Sequence, residues 1–425
     1  MKHFRNPARS RIRKRETMFE LGKYSVTYPK GFEASAAAAG IKPGRDDMAM
    51  IYSEKPAAAA LVSTTNKVKA APVLWDQQIM KETTIKRAVV VNAGNANACT
   101  GEEGYNNTVR TADEAAKLLG LKPDEVFVSS TGVIGVQLPM DKISGGVRLL
   151  AGSLSDTAEA GEAAAHAILT TDLKTKTVSA VFTIGGTEVR IGSMAKGSGM
   201  IRPNMATMLS YTVTDADISA ELLQEALDQI TEDTYNMISV DGDMSTNDTC
   251  ILMANGMSGA PAITSLDSED GKVFFEAMKA VQTELAQSIV RDGEGATRMM
   301  EVNVYGAESK KDARTLARSV VESSLVKTAI FGADANWGRI LCALGYADAA
   351  FDQYKAELKI SSPGGELLMF ENGVPQDFSE DKALQILSEP EIQIDVQVRL
   401  GSADATAWGC DLSYEYVKIN GEYRS

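Results

Sequence analysis

The chain reads as an α/β (α+β) protein with strands in every region. Apolar runs of strand length alternate with stretches of helical period from end to end, the pattern of stacked sheets and helices. Apolar residues make up 44% of the 425 and charged residues 24%, enough to build a large core. No internal repeat, low-complexity tract or Pro/Ser-rich linker divides the sequence into separate units.

Taken in order, Ala88–Asn92 is a buried strand followed by a turn at Ala93–Asn97. Asn107–Leu119 is a helix, since Val109, Ala112, Ala115, Ala116 and Leu119 fall near helical spacing. Val126–Ser129 is a short strand, and Ala158–Leu169 an Ala-rich helix carrying His166. Val178–Ile184 and Glu188–Ser193 form a hairpin about Gly185-Gly186. Met208–Thr214 is a strand, and Leu222, Leu223, Ala226 and Ile230 mark one face of a helix. Phe274–Ile289 is a longer helix. Met299–Tyr305, Val326–Ile330, Gln393–Leu400 and Leu412–Ile419 are expected as further strands.

Charge narrows the partners. The net charge of −14 argues against nucleic acid, and no apolar stretch reaches the ~18 residues of a membrane span. Residues 1–15 carry seven Lys/Arg and no acid, leaving 36 basic against 57 acidic residues in the rest. That start lacks the apolar segment of a secretory signal. It is read as a disordered extension, or as sequence upstream of a natural start at Met18, rather than an organelle-targeting segment. The four cysteines, Cys99, Cys250, Cys342 and Cys410, have no metal-type spacing, and only His3 and His166 could join them. No metal site is expected, and reduced thiols in a cytoplasm are. With histidine so scarce, a Ser-His or Cys-His catalyst would have to rest on His166, which reads better as a packed or surface residue.

Several runs could carry chemistry. In Val128-Ser-Ser-Thr-Gly-Val-Ile-Gly135, Thr131 and Gly132 follow a strand and could present a hydroxyl and N–H groups to a developing oxyanion, or form a plain turn. Lys196 opens Lys196-Gly-Ser-Gly199, which fits neither a phosphate-binding nor a dinucleotide-binding loop; alone it is a solvated turn lysine. Thr170 lies in Ile168-Leu-Thr-Thr-Asp172 at the end of a helical pattern, where threonines can cap. Glu294 sits between glycines in Arg291-Asp-Gly-Glu-Gly-Ala-Thr297. Asp241, Asp243 and Asp248 lack calcium-loop spacing and suit a hydrogen-bonded loop.

One peptide bond, Ala206–Thr207, stands in Lys196-Gly-Ser-Gly-Met-Ile-Arg-Pro-Asn-Met-Ala-Thr-Met-Leu-Ser210. An internal threonine is a poor nucleophile. A threonine at a chain terminus has its own α-amine beside the hydroxyl, with a reference pKa of ~7.7–8.0, and that amine can serve as general base. The same hydroxyl could make the terminus by attacking the Ala206 carbonyl, an N-to-O acyl shift followed by hydrolysis of the ester.

This run resembles the self-cleavage site of the ornithine acetyltransferases, the glutamate N-acetyltransferases of arginine biosynthesis. The resemblance extends from Val26-Thr-Tyr-Pro-Lys-Gly-Phe32 to Ser425 and includes Val240-Asp-Gly-Asp-Met-Ser-Thr-Asn-Asp-Thr249 and Phe331-Gly-Ala-Asp-Ala-Asn-Trp-Gly-Arg339. It implies Thr207 as nucleophile, cleavage after Ala206, and an oxyanion hole at Thr131 and Gly132. It implies substrate contacts at Thr170, Lys196, Thr207, Glu294, Asn420 and Ser425. The loop Leu173-Lys-Thr-Lys176 departs from the family's Thr-x-Pro-Lys. The implied organisation is a basic extension over 1–17, an α piece over 18–206 and a β piece over 207–425, two of each assembling. The implied reaction is ping-pong acetyl transfer from N-acetylornithine to glutamate with no metal or organic cofactor, acetyl-CoA being a second donor in some members. The rival expectations are an autoprocessed amidase or aminopeptidase of related fold, and an uncleaved scaffold.

Overall fold

A computed structural model describes residues 18–202 and 208–422. The residues before Met18, the segment 203–207 and residues 423–425 lie outside the described part. Ten strands come first in the chain: β1 (Phe19–Gly22), β2 (Phe32–Ala37), β3 (Met48–Ser63), β4 (Ile85–Asn95), β5 (Val126–Val133), β6 (Lys176–Ile184), β7 (Thr187–Lys196), β8 (Leu209–Thr214), β9 (Ile238–Ser239) and β10 (Thr249–Ala254). All but β9 form one sheet in the order β1-β6-β7-β8-β10-β3-β4-β5, with β2 also on β3. A second sheet joins β9 to β11 (Met299–Ala307), β12 (Glu357–Ser362), β13 (Gly365–Glu371), β14 (Val374–Pro375), β15 (Glu391–Gln397) and β16 (Ala403–Cys410), in the order β14-β13-β12-β15-β11-β16-β9.

Side chains alternate across a strand, and the large sheet uses that alternation to bury both faces. In β10, Ile251 and Met253 join one apolar cluster, and Cys250 and Leu252 the other. The first cluster is closed by α1 (Ala71–Glu82), α2 (Gly101–Leu119), α3 (Met140–Gly152) and α4 (Ala158–Ala167). The second is shared with α5 (Ala220–Asp233), α6 (Glu269–Arg291), α7 (Lys310–Glu322) and the second sheet. Four shorter helices follow: α8 (Ser324–Phe331), α9 (Trp337–Gly345), α10 (Glu380–Leu387) and α11 (Tyr414–Glu422).

The expected fold class is therefore found, with two strands corrected to helices. Val326–Ile330 lies in α8, whose N-terminus is capped by the Ser323 hydroxyl accepting from Val326 N at 3.3 Å. A short apolar run has no period of its own to separate strand from buried helix. Leu412–Ile419 mostly falls in α11, with Tyr414 set edge-on to Phe331 of α8. β5 also runs past Ser129 to Val133, and β4 past Asn92 to Asn95, so the expected turns there are sheet. His166 is exposed, and the four cysteines are free thiols.

Residues on the two sides of the Ala206–Thr207 bond share the large sheet. β8 pairs with β7 (antiparallel) and β10 (parallel), and β10 pairs with β3. The later residues thus fill the gap between two strands of the earlier ones.

Candidate active site

Thr131 and Gly132 lie among the last three residues of β5 rather than after it, where its parallel pairing with β4 shifts register at Gly94 and Asn95. Gly132 has φ +133°, and a Cβ there would stand 2.3 Å from the Gly94 carbonyl carbon. Only glycine adopts that backbone so close to a neighbouring strand. Side chains fix the irregularity: Ser130 Oγ donates to Asn92 Oδ1 at 2.6 Å, and Asn247 Nδ2 donates to the carbonyls of Ala96 (2.6 Å) and Ser130 (2.8 Å).

Lys196 ends β7 as a buried residue, not a solvated one, and its Nζ donates to Thr131 Oγ1 at 3.4 Å. It pairs with Leu209 at the start of β8. Thr249 N donates to the Met208 carbonyl at 2.9 Å, anchoring the residue that follows Thr207 in the chain. Thr131, Lys196, Met200, Met208, Ser245 and Asn247 line one small cavity. Ala206 and Thr207 themselves lie outside the described residues.

A second group joins Glu294 and Asn420. Glu294 N donates to the Ser198 carbonyl at 2.9 Å, and Asn420 Nδ2 donates to Glu294 Oε2 at 2.7 Å. Gly199 makes room for this carboxylate, since a Cβ would lie 2.4 Å from it. Helix α11, which carries Asn420, is fixed at its start where Ser413 Oγ donates to the Gly295 carbonyl at 2.6 Å. Tyr416 of α11 has its phenol pushed up by burial and by the carboxylates of Asp241 and Glu294. Ser425 lies outside the described residues.

Thr170 enters through its backbone. Its N donates to Asp172 Oδ2 at 3.1 Å, and Asp172 Oδ1 accepts from Gly197 N at 2.6 Å, next to Lys196. Burial alone would raise the Asp172 carboxyl; the Lys196 and Lys176 ammoniums and these hydrogen bonds override it and hold the group well below the usual carboxylate range. Lys42 Nζ donates to the Leu169 carbonyl at 3.1 Å, next to Thr170 in the chain. Burial, with Arg45 and Lys196 nearby, lowers its ammonium. The acidic run is a hydrogen-bonded loop, as expected: Asp241 accepts from Met200 N (2.6 Å) and Ile201 N (2.8 Å). Among the described residues no group of His, Cys, Asp and Glu could hold a metal ion.

The structure thus brings Thr131 to Lys196, Glu294 to Asn420, and Thr170, through Asp172, to the backbone next to Lys196. Sequence reasoning missed Asn247, Tyr416 and the set Asp172, Lys176 and Asp292. One signal for that set was present: Asp172 and Lys176 are opposite charges four residues apart in the loop that enters β6.

The ArgJ family profile matches residues 33–425. The arginine biosynthesis bifunctional protein ArgJ of Caldanaerobacter subterraneus subsp. tengcongensis is 50% identical over 400 residues, covering 94% of this chain and 98% of that one. The protein of the same name from Symbiobacterium thermophilum is 50% identical over 403 residues, covering 94% and 98%. Among solved structures, ornithine acetyltransferase complexed with ornithine from Mycobacterium tuberculosis is 41% identical, covering 44% of this chain and 100% of that chain, with a TM-score of 0.41. A profile match over almost the entire sequence, and relatives sharing half their residues across it, place this chain in the ArgJ family.

Proposed function

We propose that this chain transfers the acetyl group of N-acetyl-L-ornithine to L-glutamate, as a glutamate N-acetyltransferase of arginine biosynthesis, after cutting itself at Ala206–Thr207. The observation that carries the reading is the cavity in which Thr131 and Lys196 meet Met208, the residue covalently next to Thr207. In this reading the Thr207 hydroxyl attacks the acetyl carbonyl and passes its proton to the Thr207 α-amine. Thr131 and Gly132 stabilise the resulting oxyanion. The C–N bond breaks, the amine returns its proton to the leaving ornithine nitrogen, and an acetyl ester remains on Thr207. The glutamate amine attacks that ester, giving N-acetylglutamate and a free threonine.

The substrate contacts follow from charge. Lys196 suits an α-carboxylate, and Glu294, oriented by Asn420, suits the free δ-ammonium of the donor. Thr170 and Ser425 complete the contacts implied by the family resemblance. The reaction as written uses no metal and no organic cofactor. Acetyl-CoA as a second donor is part of the proposal, in keeping with relatives named bifunctional. So are a cytoplasmic location and an assembly of two α and two β pieces. Among the described residues no helix is long and apolar enough to cross a membrane.

Intact mass and N-terminal sequencing of the purified protein test the first half. Two pieces are expected, one beginning Thr207-Met208-Leu209, and Thr207→Ala should remain one chain. Mixing N-acetylornithine with labelled glutamate tests the second half. Labelled N-acetylglutamate is expected, while acetate release without transfer would point to a hydrolase. A single intact chain that transfers nothing would overturn the reading.

A further inference from the structure

Asp172, Lys176 and Asp292 take no part in the acetyl transfer as written, yet their side chains are only 0%, 1% and 6% exposed. Lys176 Nζ lies 2.8 Å from Asp172 Oδ1 and 2.6 Å from Asp292 Oδ2. Stability is a weak reason for such a set. Desolvating each ion costs several kcal/mol, and well-packed apolar residues often serve a fold as well. The remaining hydrogen bonds give a better reason. Asp172 accepts from Thr170 N, the backbone of one candidate substrate contact, and from Gly197 N, the residue after another, Lys196. Asp292 Oδ2 accepts from Leu173 N at 3.0 Å and Lys174 N at 3.3 Å, and the Asp292 carbonyl accepts from Ser198 Oγ at 2.7 Å. The Ser198 carbonyl in turn accepts from Glu294 N at 2.9 Å. Two carboxylates against one ammonium leave one negative charge, and the Lys196 ammonium near Asp172 balances it.

We propose that Asp172, Lys176 and Asp292 are positioning residues that hold Lys196 and Glu294 at one fixed separation, so that both ends of an amino-acid substrate are read together. Lys176 is the strut between the strand end that carries Lys196 and the loop that carries Glu294. This rests on the proposed roles of Lys196 and Glu294. A rigid two-point site favours a ligand whose carboxylate and ammonium match its span, and a misplacement of about 1 Å can cost ~100-fold. Leu173 and Lys174 meet Asp292 through backbone N–H groups, so the strut does not depend on their side chains.

The test uses the full chain, self-processed, and compares binding of ornithine with that of norvaline, which has the same carbon chain without the δ-amine. Calorimetry should give wild type a clear preference for ornithine. Asp292→Asn keeps Lys176 paired with Asp172 but removes one side of the strut. It should cut the preference about tenfold while norvaline affinity changes less than threefold. In the transfer assay it should raise KM for N-acetylornithine more than it lowers kcat. A folded Asp292→Asn that keeps the full preference overturns the positioning role alone. A wild type with no preference overturns the two-ended site and the positioning role with it. Should Asp292→Asn fail to fold, Lys176→Arg carries the same comparison, since a longer forked cation keeps the charge and changes the span.

Discussion

Gly132 has the narrowest tolerance of any residue at the site. Its positive φ and the 2.3 Å separation from Gly94 mean that one added methyl must push β5 away from β4. Gly132→Ala is therefore expected to move the N–H groups that would meet the oxyanion, lowering the acetylation rate by ~100-fold or more. Single-turnover acetylation of Thr207, followed by mass, checks this; an unchanged rate in folded protein would remove Gly132 from the oxyanion hole. At this scale the sequence was informative about identity and poor about environment. Lys196 read alone as a solvated turn lysine, because a glycine-rich run looks like a loop. Its burial comes from Leu209 across the strand pair and from Thr131, sixty-five residues earlier. The set Asp172, Lys176 and Asp292 was hidden for the same reason, since Asp292 lies 116 residues from Lys176.

The elements divide into those whose period was legible and those whose partners decide them. The β6–β7 hairpin follows from alternation about Gly185-Gly186, and α6 from a long apolar stripe; both were read with small errors at the ends. α8 and α11 are not, because eight or nine residues are too short to carry a clear period, and packing at Phe331 and Tyr414 settles them. The identity of α11 matters to the site. A helix holds Asn420 and Tyr416 one turn apart, both near Glu294. Asn420→Ala should therefore free the Glu294 carboxylate without unfolding the enzyme. The expected result is a KM for N-acetylornithine raised several-fold with kcat little changed, the loss of one charge-assisted hydrogen bond of about 2 kcal/mol at most. Gly295→Ala acts one step earlier. Its Cβ would stand 2.5 Å from Tyr416 N, so it should displace the whole helix and reproduce the Asn420 effect more strongly.

Over the whole molecule, the interleaving of β7, β8, β10 and β3 gives the proposed self-cleavage a structural consequence. Cutting before Thr207 leaves the later piece seated between strands of the earlier one, so both pieces should elute together in native gel filtration and separate only when denatured. Buried charge sets the response to acid. The Asp172 carboxyl is held low in the fold by Lys196 and Lys176 against the effect of burial, so it favours the folded state wherever the unfolded chain has it ionised, above about pH 3.9. That contribution is lost as pH falls through and below that value. Asp76 on α1 has the opposite sign. Burial raises its carboxyl despite the hydrogen bond from Val128 N at 2.9 Å, and Asp76 Oδ2 has no partner among the described residues. The fold therefore holds a proton there that the unfolded chain releases, and stability falls as pH rises above about 3.9 toward the raised value. Two single variants separate these terms in urea unfolding. Asp172→Asn should be less stable than wild type at pH 7 by about 3 kcal/mol, the cost of breaking a buried pair, with the difference closing in acid. Asp76→Asn should gain on wild type as pH rises from 4 to 8. Parallel curves for either variant would mean that its carboxyl does not change its proton affinity on folding.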